Sequence, residues 1–169
     1  MSRPVASAPS VSGTQAWHGH TRGSRGYRRI LIALGAAGVA TFAQLYSPQG
    51  ILPLIGRSLQ VDAAASAMTV SAGTLGLAVS VLGWSWLADR IGRAPAMKIA
   101  LAAAAALGLL TVLAPSFETL LGLRIAEGVA LGGIPALAIA YLHEEVQPGQ
   151  VAIAAGTYIS GTTVGGLLG

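Results

Sequence analysis

Two long apolar stretches meet at the segment Ser85-Trp86-Leu87-Ala88-Asp89-Arg90-Ile91-Gly92-Arg93. Charged side chains appear there where the apolar character stops, and Gly92 permits a tight backbone turn. A helix needs about 20 mostly apolar residues to cross the hydrocarbon core of a bilayer, and the flanking stretches come close to that length. The segment is therefore predicted to be a short charged loop that joins two membrane-spanning helices.

The rest of the chain repeats this pattern of apolar stretches and short connections. The connections carry Gly, Pro or charged residues, which interrupt helices. Short connections make consecutive helices antiparallel, so we predict an all-α membrane protein. The predicted spans are residues 30–54, 67–88, 97–114, 120–141 and 151–169.

The composition argues against a soluble enzyme. Only 9% of the 169 residues are charged and 53% are hydrophobic, whereas a soluble globular domain carries about 25% charged residues. The lack of Cys argues against a disulfide scaffold. The motifs G-x-x-x-x-G-K-[ST], G-x-S-x-G and H-E-x-x-H do not occur. We predict no enzymatic activity and no cofactor, and no metal site, since His18 and His20 have no further ligands beside them.

Residues 1–29 are basic and contain no acidic residue. Basic segments beside a membrane span stay in the cytoplasm, so we predict a disordered cytoplasmic tail that orients the first span, rather than a nucleic-acid-binding segment. An Arg-rich transit peptide is the alternative. With the tail inside, eight basic residues face the cytoplasm, against Arg57 in the first outer loop. The eight are Arg3, Arg22, Arg25, Arg28, Arg29, Arg90, Arg93 and Lys98.

The fourth predicted span carries two charged residues, Arg124 and Glu127. A charge at the centre of a span costs about 2.5–3.5 kcal/mol on insertion scales, so it needs a structural or functional reason. The two residues are three positions apart and share a helix face. They could form a local ion pair that neutralises both charges, or a polar site that faces a central cavity and relays protons.

Glycines recur at four-residue spacing in the fourth and fifth predicted spans. This small-xxx-small pattern lets the backbones of two helices approach closely, so we predict helix-packing faces there. The positions are Gly128, Gly132, Gly161, Gly165 and Gly169, with Gly166 beside them.

The charged loop resembles the signature loop of the major facilitator superfamily of membrane transporters, which has the form G-x-L-a-D-R-x-G-R. Ser85 stands in the position of the first Gly, and it is also small. The matching residues are Leu87, Asp89, Arg90, Gly92 and Arg93.

Other segments resemble the same family in the same order. The fourth span is similar to the R-x-x-x-G motif at Arg124 and Gly128, and Glu127 stands where an uncharged residue is common. The fifth resembles the antiporter signature G-P-x-x-G-G, with Thr162 in the Pro position; its matches are Gly161, Gly165 and Gly166. Three further stretches resemble the bacterial sugar- and drug-efflux branch, which includes arabinose-efflux-permease-like inner membrane transport proteins. They are residues 40–46, 49–53 and 141–145.

The resemblance implies a fold of twelve helices in two six-helix halves, each a 3+3 inverted repeat, with alternating access to a site between the halves. The chain would then supply helices one to five of the first half, as an N-terminal fragment of a longer secondary transporter. The implied activity is proton-coupled efflux of a small molecule, such as a sugar or drug, across the bacterial inner membrane. The implied partners are the lipid bilayer, the substrate, H⁺ and the missing C-terminal half.

The resemblance also implies roles for individual residues. A cytoplasmic gate would comprise Asp89, Arg90, Gly92, Arg93, Glu144 and Glu145. A pathway for substrate or protons would comprise Gln44, Tyr46, Gln49, Arg124, Glu127 and Tyr158, with Glu127 as the proton carrier because it is the only acid deep in a span. The alternative is a non-transporting membrane scaffold, or an inactive remnant, that associates through the Gly-rich helix faces.

Overall fold

A computed structural model describes residues 19–169, so most of the predicted basic tail, residues 1–18, lies outside it. The described helices are α1 Arg25–Tyr46, α2 Leu52–Leu59, α3 Ala63–Ile91, α4 Arg93–Thr111, α5 Phe117–Leu131, α6 Gly133–Glu145 and α7 Val151–Leu168. Two short 3₁₀-helices, Ser47–Ile51 and Pro148–Gln150, precede α2 and α7. Within residues 19–169, five helical stretches are long and apolar enough to cross a membrane, as predicted: Arg25–Leu59, Ala63–Ile91, Arg93–Thr111, Phe117–Glu145 and Pro148–Leu168.

The first span begins five residues earlier than predicted, at Arg25, because Ser24 caps the helix. The Ser24 side-chain oxygen accepts a hydrogen bond of 3.1 Å from the backbone N–H of Tyr27. Such a cap satisfies one of the N–H groups that the start of a helix leaves without a partner. Residues 25–29 are therefore helical, and the prediction of a disordered tail is wrong for them.

The predicted span 30–54 is interrupted in its last third. α1 ends at Tyr46, the 3₁₀-helix Ser47–Ile51 follows, and α2 begins at Leu52. Pro48 has no backbone N–H and its ring crowds the preceding turn, so the α-helical hydrogen bonds cannot continue through it. The first membrane crossing is consequently a broken helix.

The predicted span 120–141 is also two helices, α5 and α6, which meet at Gly132. A Cβ atom on the adjacent Gly133 would lie 2.6 Å from the Cβ of Ala100 and 2.8 Å from the Trp84 ring. The Trp84 indole N–H donates a 2.6 Å hydrogen bond to the carbonyl of Val129. Neighbouring helices therefore press directly on the backbone at this junction.

The helices pack mainly as two pairs, α1 with α7 and α3 with α5, and α4 packs against α5 and α6. The larger apolar core lies where α1, α4, α6 and α7 meet, and it includes Leu34, Met97, Ile134 and Ala154. The outward faces carry large exposed apolar side chains, such as Leu82 at 83% exposure. An all-round apolar helix with such a face is typical of a membrane environment.

A single residue, Gly92, separates α3 from α4. Its φ angle is +90°, a conformation that residues with a Cβ rarely adopt. Its N–H donates to the carbonyl of Ala88 at 2.8 Å and closes the end of α3. The structure thus confirms a tight connection between the two spans but confines it to Gly92, because residues 85–91 belong to the end of α3 and Arg93 begins α4.

Candidate functional site

Two charged side chains are buried together inside the bundle. Arg124 and Glu127 of α5 are 3% and 1% exposed. Arg124 Nη1 lies 2.5 Å from Glu127 Oε2, because residues three positions apart are neighbours on one face of a helix. The first of the two interpretations left open by the sequence, a local ion pair, is therefore present.

Gln44 of α1 completes this cluster. Its Nε2 donates one hydrogen bond of 2.5 Å to Glu127 Oε1 and another of 2.7 Å to the carbonyl of Ala104 in α4. Both carboxylate oxygens of Glu127 thus have a donor. A buried polar group without a partner costs about 1–3 kcal/mol, and more if it is charged, so these bonds stabilise the carboxylate inside the bundle.

Arg124 also binds the backbone of two other helices. Its Nη2 donates to the carbonyl of Leu45 at 2.6 Å. Longer contacts run from Nη1 to the carbonyl of Gln44 at 3.5 Å and from Nε to the carbonyl of Thr69 at 3.4 Å. The planar guanidinium, with five N–H donors, therefore links α5 to the end of α1 and to α3.

A cavity of 710 Å³ opens beside the cluster, between α1, α2, α4 and α5. Arg124, Glu127 and Gln44 supply polar groups to its wall. Much of the remaining wall is apolar and includes Ile51, Ile55, Leu59, Leu109, Val112 and Leu120. Sites for small molecules have volumes of about 300–1,000 Å³ and combine apolar walls with a few polar groups. The cavity can therefore hold a small molecule next to a shielded carboxylate and guanidinium.

The other three predicted pathway residues do not line this cavity. Tyr46 packs beside Phe42, with ring centroids 6.3 Å apart. Gln49 is exposed in the 3₁₀-helix that follows α1. Tyr158 is 5% exposed in the larger apolar core, and its buried hydroxyl has no hydrogen-bond partner in the described part of the chain. The structure thus brings together Gln44, Arg124 and Glu127 and places the rest elsewhere.

Two of the predicted packing glycines lie where α5 meets α3. A Cβ on Gly128 would overlap the carbonyl of Gly73, and a Cβ on Gly132 would overlap the hydroxyl of Ser80. The backbones can approach this closely only because a side chain is absent. This contact fixes α3 against α5 next to the ion pair.

The fifth span uses its glycines in the same way against α1. A Cβ on Gly161 would lie 2.5 Å from the carbonyl of Gly35, and one on Gly165 would overlap the carbonyl of Val39. Gly166 differs, since its Cβ would meet only the Tyr46 ring, at an ordinary distance of 3.8 Å.

The charged loop lies at the opposite end of the helices from the α1–α2 break. Arg93 Nε bonds Glu144 Oε1 at 2.6 Å, so the structure joins the loop to the end of α6. The Arg90 guanidinium lies 3.8 Å from the centroid of the Trp86 ring, a cation–π contact. Asp89 is exposed. The predicted gate residues therefore share one surface.

Glu145 holds the segment that precedes α1. The backbone N–H of His20 donates to the carbonyl of Glu145 at 2.7 Å, and the N–H of Gln147 donates to the carbonyl of His20 at 3.3 Å. The His20 imidazole also lies 3.9 Å from the Glu145 carboxylate. The connection between the fourth and fifth spans thus ties down the start of the first.

One residue of the buried cluster was missed in the sequence. A Cβ on Gly108 of α4 would overlap Gln44 Nε2 and would lie 3.1 Å from Glu127 Oε1. Glycine therefore leaves the space in which the amide and the carboxylate meet. The available signal was a lone Gly within the Ala-rich run of residues 99–108.

Comparison with known proteins agrees with this architecture. Residues 28–169 match the Major Facilitator Superfamily. The chain belongs to this family. An uncharacterized MFS-type transporter of Bacillus subtilis, YybF, is 43% identical over 148 residues, which cover 88% of this chain and 37% of YybF. The inner membrane transport protein YnfM of Escherichia coli is 39% identical, over 88% of this chain and 36% of YnfM. No solved structure matches.

Membership of the superfamily assigns each helix its place in the fold. The five apolar stretches are transmembrane helices one to five of a six-helix half, as the sequence predicts. The chain spans little more than a third of the length of these two relatives. The buried cluster of Gln44, Arg124 and Glu127 therefore lies inside the first half of a major facilitator fold.

Proposed function

We propose that the chain forms the first half of a secondary transporter that exports a small molecule, such as a sugar or drug, in exchange for protons. The observation that carries this proposal is the buried Arg124–Glu127 pair in the wall of a 710 Å³ cavity within a membrane bundle. Ionisable residues inside a membrane are costly, and they mark substrate or proton pathways by default. Its substrate site would be completed by the C-terminal half of the longer protein.

Glu127 is suited to carry the proton. It is the acidic residue of the cavity wall, and both of its oxygens face polar donors rather than lipid. A proton that binds the carboxylate converts it to a neutral acid and removes the partner of Arg124. Substrate and proton would then compete for the same polar cluster, which is the requirement for exchange.

The charged loop would close the cytoplasmic side. Arg93 is joined to Glu144, while Asp89 and Arg90 are exposed and available to the second half. The basic residues at this end, among them Arg25, Arg28 and Lys98, favour a cytoplasmic location for it under the positive-inside rule. We accordingly propose that the N-terminus lies in the cytoplasm and the protein in a bacterial inner membrane, since its relative YnfM is named an inner membrane transport protein.

Proton exchange can be tested in everted membrane vesicles from cells that produce the native protein carrying this chain. Respiration acidifies the vesicle interior and quenches a pH-sensitive dye, and an exported substrate added outside should restore the fluorescence. We expect Glu127→Gln to abolish this response for substrates from a panel of sugars and drugs. Glu118→Gln is the matched control, because Glu118 is an exposed acid at the start of the same helix. Full exchange by Glu127→Gln would refute the proton role.

The gate can be tested separately with Asp89→Asn. The side chain is exposed, so we expect the variant to reach the membrane at the normal level while transport falls at least about tenfold, which corresponds to 1.4 kcal/mol. Transport and membrane content are measured in the same vesicles. Normal transport by Asp89→Asn would contradict the gate, and a loss of membrane content would show a structural role instead.

The scaffold alternative is not favoured by the relatives, which are named as transporters. The glycine faces on which it rested are occupied within the chain itself, α5 against α3 and α7 against α1.

A further inference from the structure

Two carbonyl groups at the end of α1 lose their α-helical partners at the break. In an α-helix the carbonyl of Gln44 would accept a bond from the N–H of residue 48, but proline has no N–H, so this bond cannot form. The α-helical partner of the Leu45 carbonyl is the N–H of Gln49, which lies in the 3₁₀-helix Ser47–Ile51, where bonds run to the residue three positions earlier instead. Inside a membrane such groups must find partners within the protein.

Arg124 supplies the missing donors. Its Nη2 bonds the carbonyl of Leu45 at 2.6 Å, and its Nη1 lies 3.5 Å from the carbonyl of Gln44. The hydroxyl of Ser47 donates the remaining bond to Gln44, at 2.9 Å. The broken end of α1 is therefore capped by a side chain from another helix, in the position where cations are favoured by the helix dipole.

The same guanidinium is half of the buried ion pair. Its Nη1 lies 2.5 Å from Glu127 Oε2 and also faces the carbonyl of Gln44. Around Glu127, α5 contributes Arg124, α1 contributes the Gln44 amide, and α4 contributes the backbone of Ala104 and Gly108. Arg124 and Glu127 are the only charged side chains in the described wall of the cavity. Arg124 thus contacts both the carboxylate of Glu127 and the carbonyl groups at the α1–α2 break.

We propose that Pro48 is a positioning residue which couples the protonation of Glu127 to the geometry of the α1–α2 break, with Arg124 as the link. A proton on Glu127 Oε2 removes the charge that holds Nη1, and Nη1 then moves onto the carbonyl of Gln44. When the proton leaves, Nη1 returns to the carboxylate and the break relaxes. This coupling rests on the proposed proton exchange, and the element that moves is the α1–α2 break.

The test measures the break directly, without substrate. The chain contains no Cys, so cysteines introduced at Leu54 of α2 and at Leu113 after α4 are unique attachment sites for spin labels. Both positions are exposed, at 63% and 75%. Distances between the labels are measured by pulsed electron paramagnetic resonance on the full chain in lipid nanodiscs, in acidic and in alkaline buffer.

We expect the wild-type distance distribution to shift between the two buffers. Glu127→Gln should show the acidic distribution in both, because the amide is neutral like the protonated acid. Pro48→Ala should lose the shift, because the new N–H occupies the carbonyl that Arg124 otherwise approaches. Pro48→Ser restores the same N–H and serves as a second variant. Pro53→Ala is the matched control, since Pro53 stands in the first turn of α2, where the N–H has no helical partner.

Two results would overturn the coupling: an unchanged wild-type distribution, or a wild-type shift in both Pro48 variants. Failure of the proposed function looks different, because vesicles would show no proton exchange whatever the label distances do. If exchange is present and both Pro48 variants respond like wild type, proton exchange stands and the role of Pro48 is rejected.

Discussion

Two arginine–glutamate pairs in this molecule have almost the same geometry and opposite surroundings. Arg124–Glu127 is 2.5 Å long with side chains 4% and 1% exposed, and Arg93–Glu144 is 2.6 Å long with side chains 25% and 53% exposed. The inner pair is further bonded by Gln44 and by the carbonyl of Leu45. The N–O distance therefore says little about how much an ion pair contributes to stability, and burial is the deciding property.

The physical reason is the dielectric environment of each pair. An exposed pair is screened by water and salt, and it typically contributes about 0–1 kcal/mol. In a buried pair each charge is stabilised mainly by the opposite charge beside it. Removal of one partner therefore leaves the other charge in a medium that cannot solvate it. Loss of one member should therefore cost little stability at the outer pair and much at the inner pair, as long as the other member remains.

The largest effect is expected when the inner pair is halved. Glu127→Leu should lower the free energy of unfolding by about 3–5 kcal/mol, because the Arg124 charge then stays buried without its counter-ion. The double variant Arg124→Met/Glu127→Leu should recover most of that loss, since no buried charge remains. Denaturant titration of the chain in detergent micelles measures both, and an equally large loss in the double variant would contradict the compensation.

A second variant disturbs the inner pair without touching a charge. Gly128→Ala places a methyl group against the carbonyl of Gly73, which forces α3 away from α5 and should cost about 1–3 kcal/mol by overpacking. Gly122→Ala is the control, because nothing lies within 4 Å of its Cβ position. Thermal unfolding of the two variants should differ clearly. Equal stability would show that the α3–α5 contact tolerates separation.

The smallest effect is expected at the outer pair. Arg93→Ala and Glu144→Ala should each change the free energy of unfolding by less than about 1 kcal/mol, and less at high salt, since the pair is exposed. A double-mutant cycle at low and high ionic strength isolates the interaction between the two side chains. A coupling well above this value, independent of salt, would show that the pair is shielded as the inner one is.

The sequence predicted the number, order and type of the spans, because apolar length and loop chemistry are local properties. It did not predict the breaks within them. Pro48 is evident in the sequence, but a single span over residues 30–54 was predicted because the chain is apolar on both sides of this proline. At the junction of α5 and α6, Trp84 and Ala100 lie against Gly133; both are far away in the chain, and no local pattern shows their approach.

The candidate site divides in the same way. Arg124 and Glu127 were predicted because a charge inside a span is conspicuous in any sequence. Tyr158 was predicted to line a pathway, yet it lies in the apolar core, since an aromatic residue with one hydroxyl fits both places. Gly108 was overlooked because it contributes by having no side chain. The importance of that free space becomes visible only when the positions of Gln44 and Glu127 are known.

The spacing of the inner pair has a consequence for biogenesis. Arg124 and Glu127 belong to one helix and lie one turn apart, so they can neutralise each other before any other span has folded around them. A nascent segment that leaves the translocon with its charges already paired avoids much of the cost that each would carry alone in lipid. If the acid stood at the same depth on another helix, the folded bundle could still contain the ion pair. During synthesis, however, each of the two charges would enter the membrane without its partner.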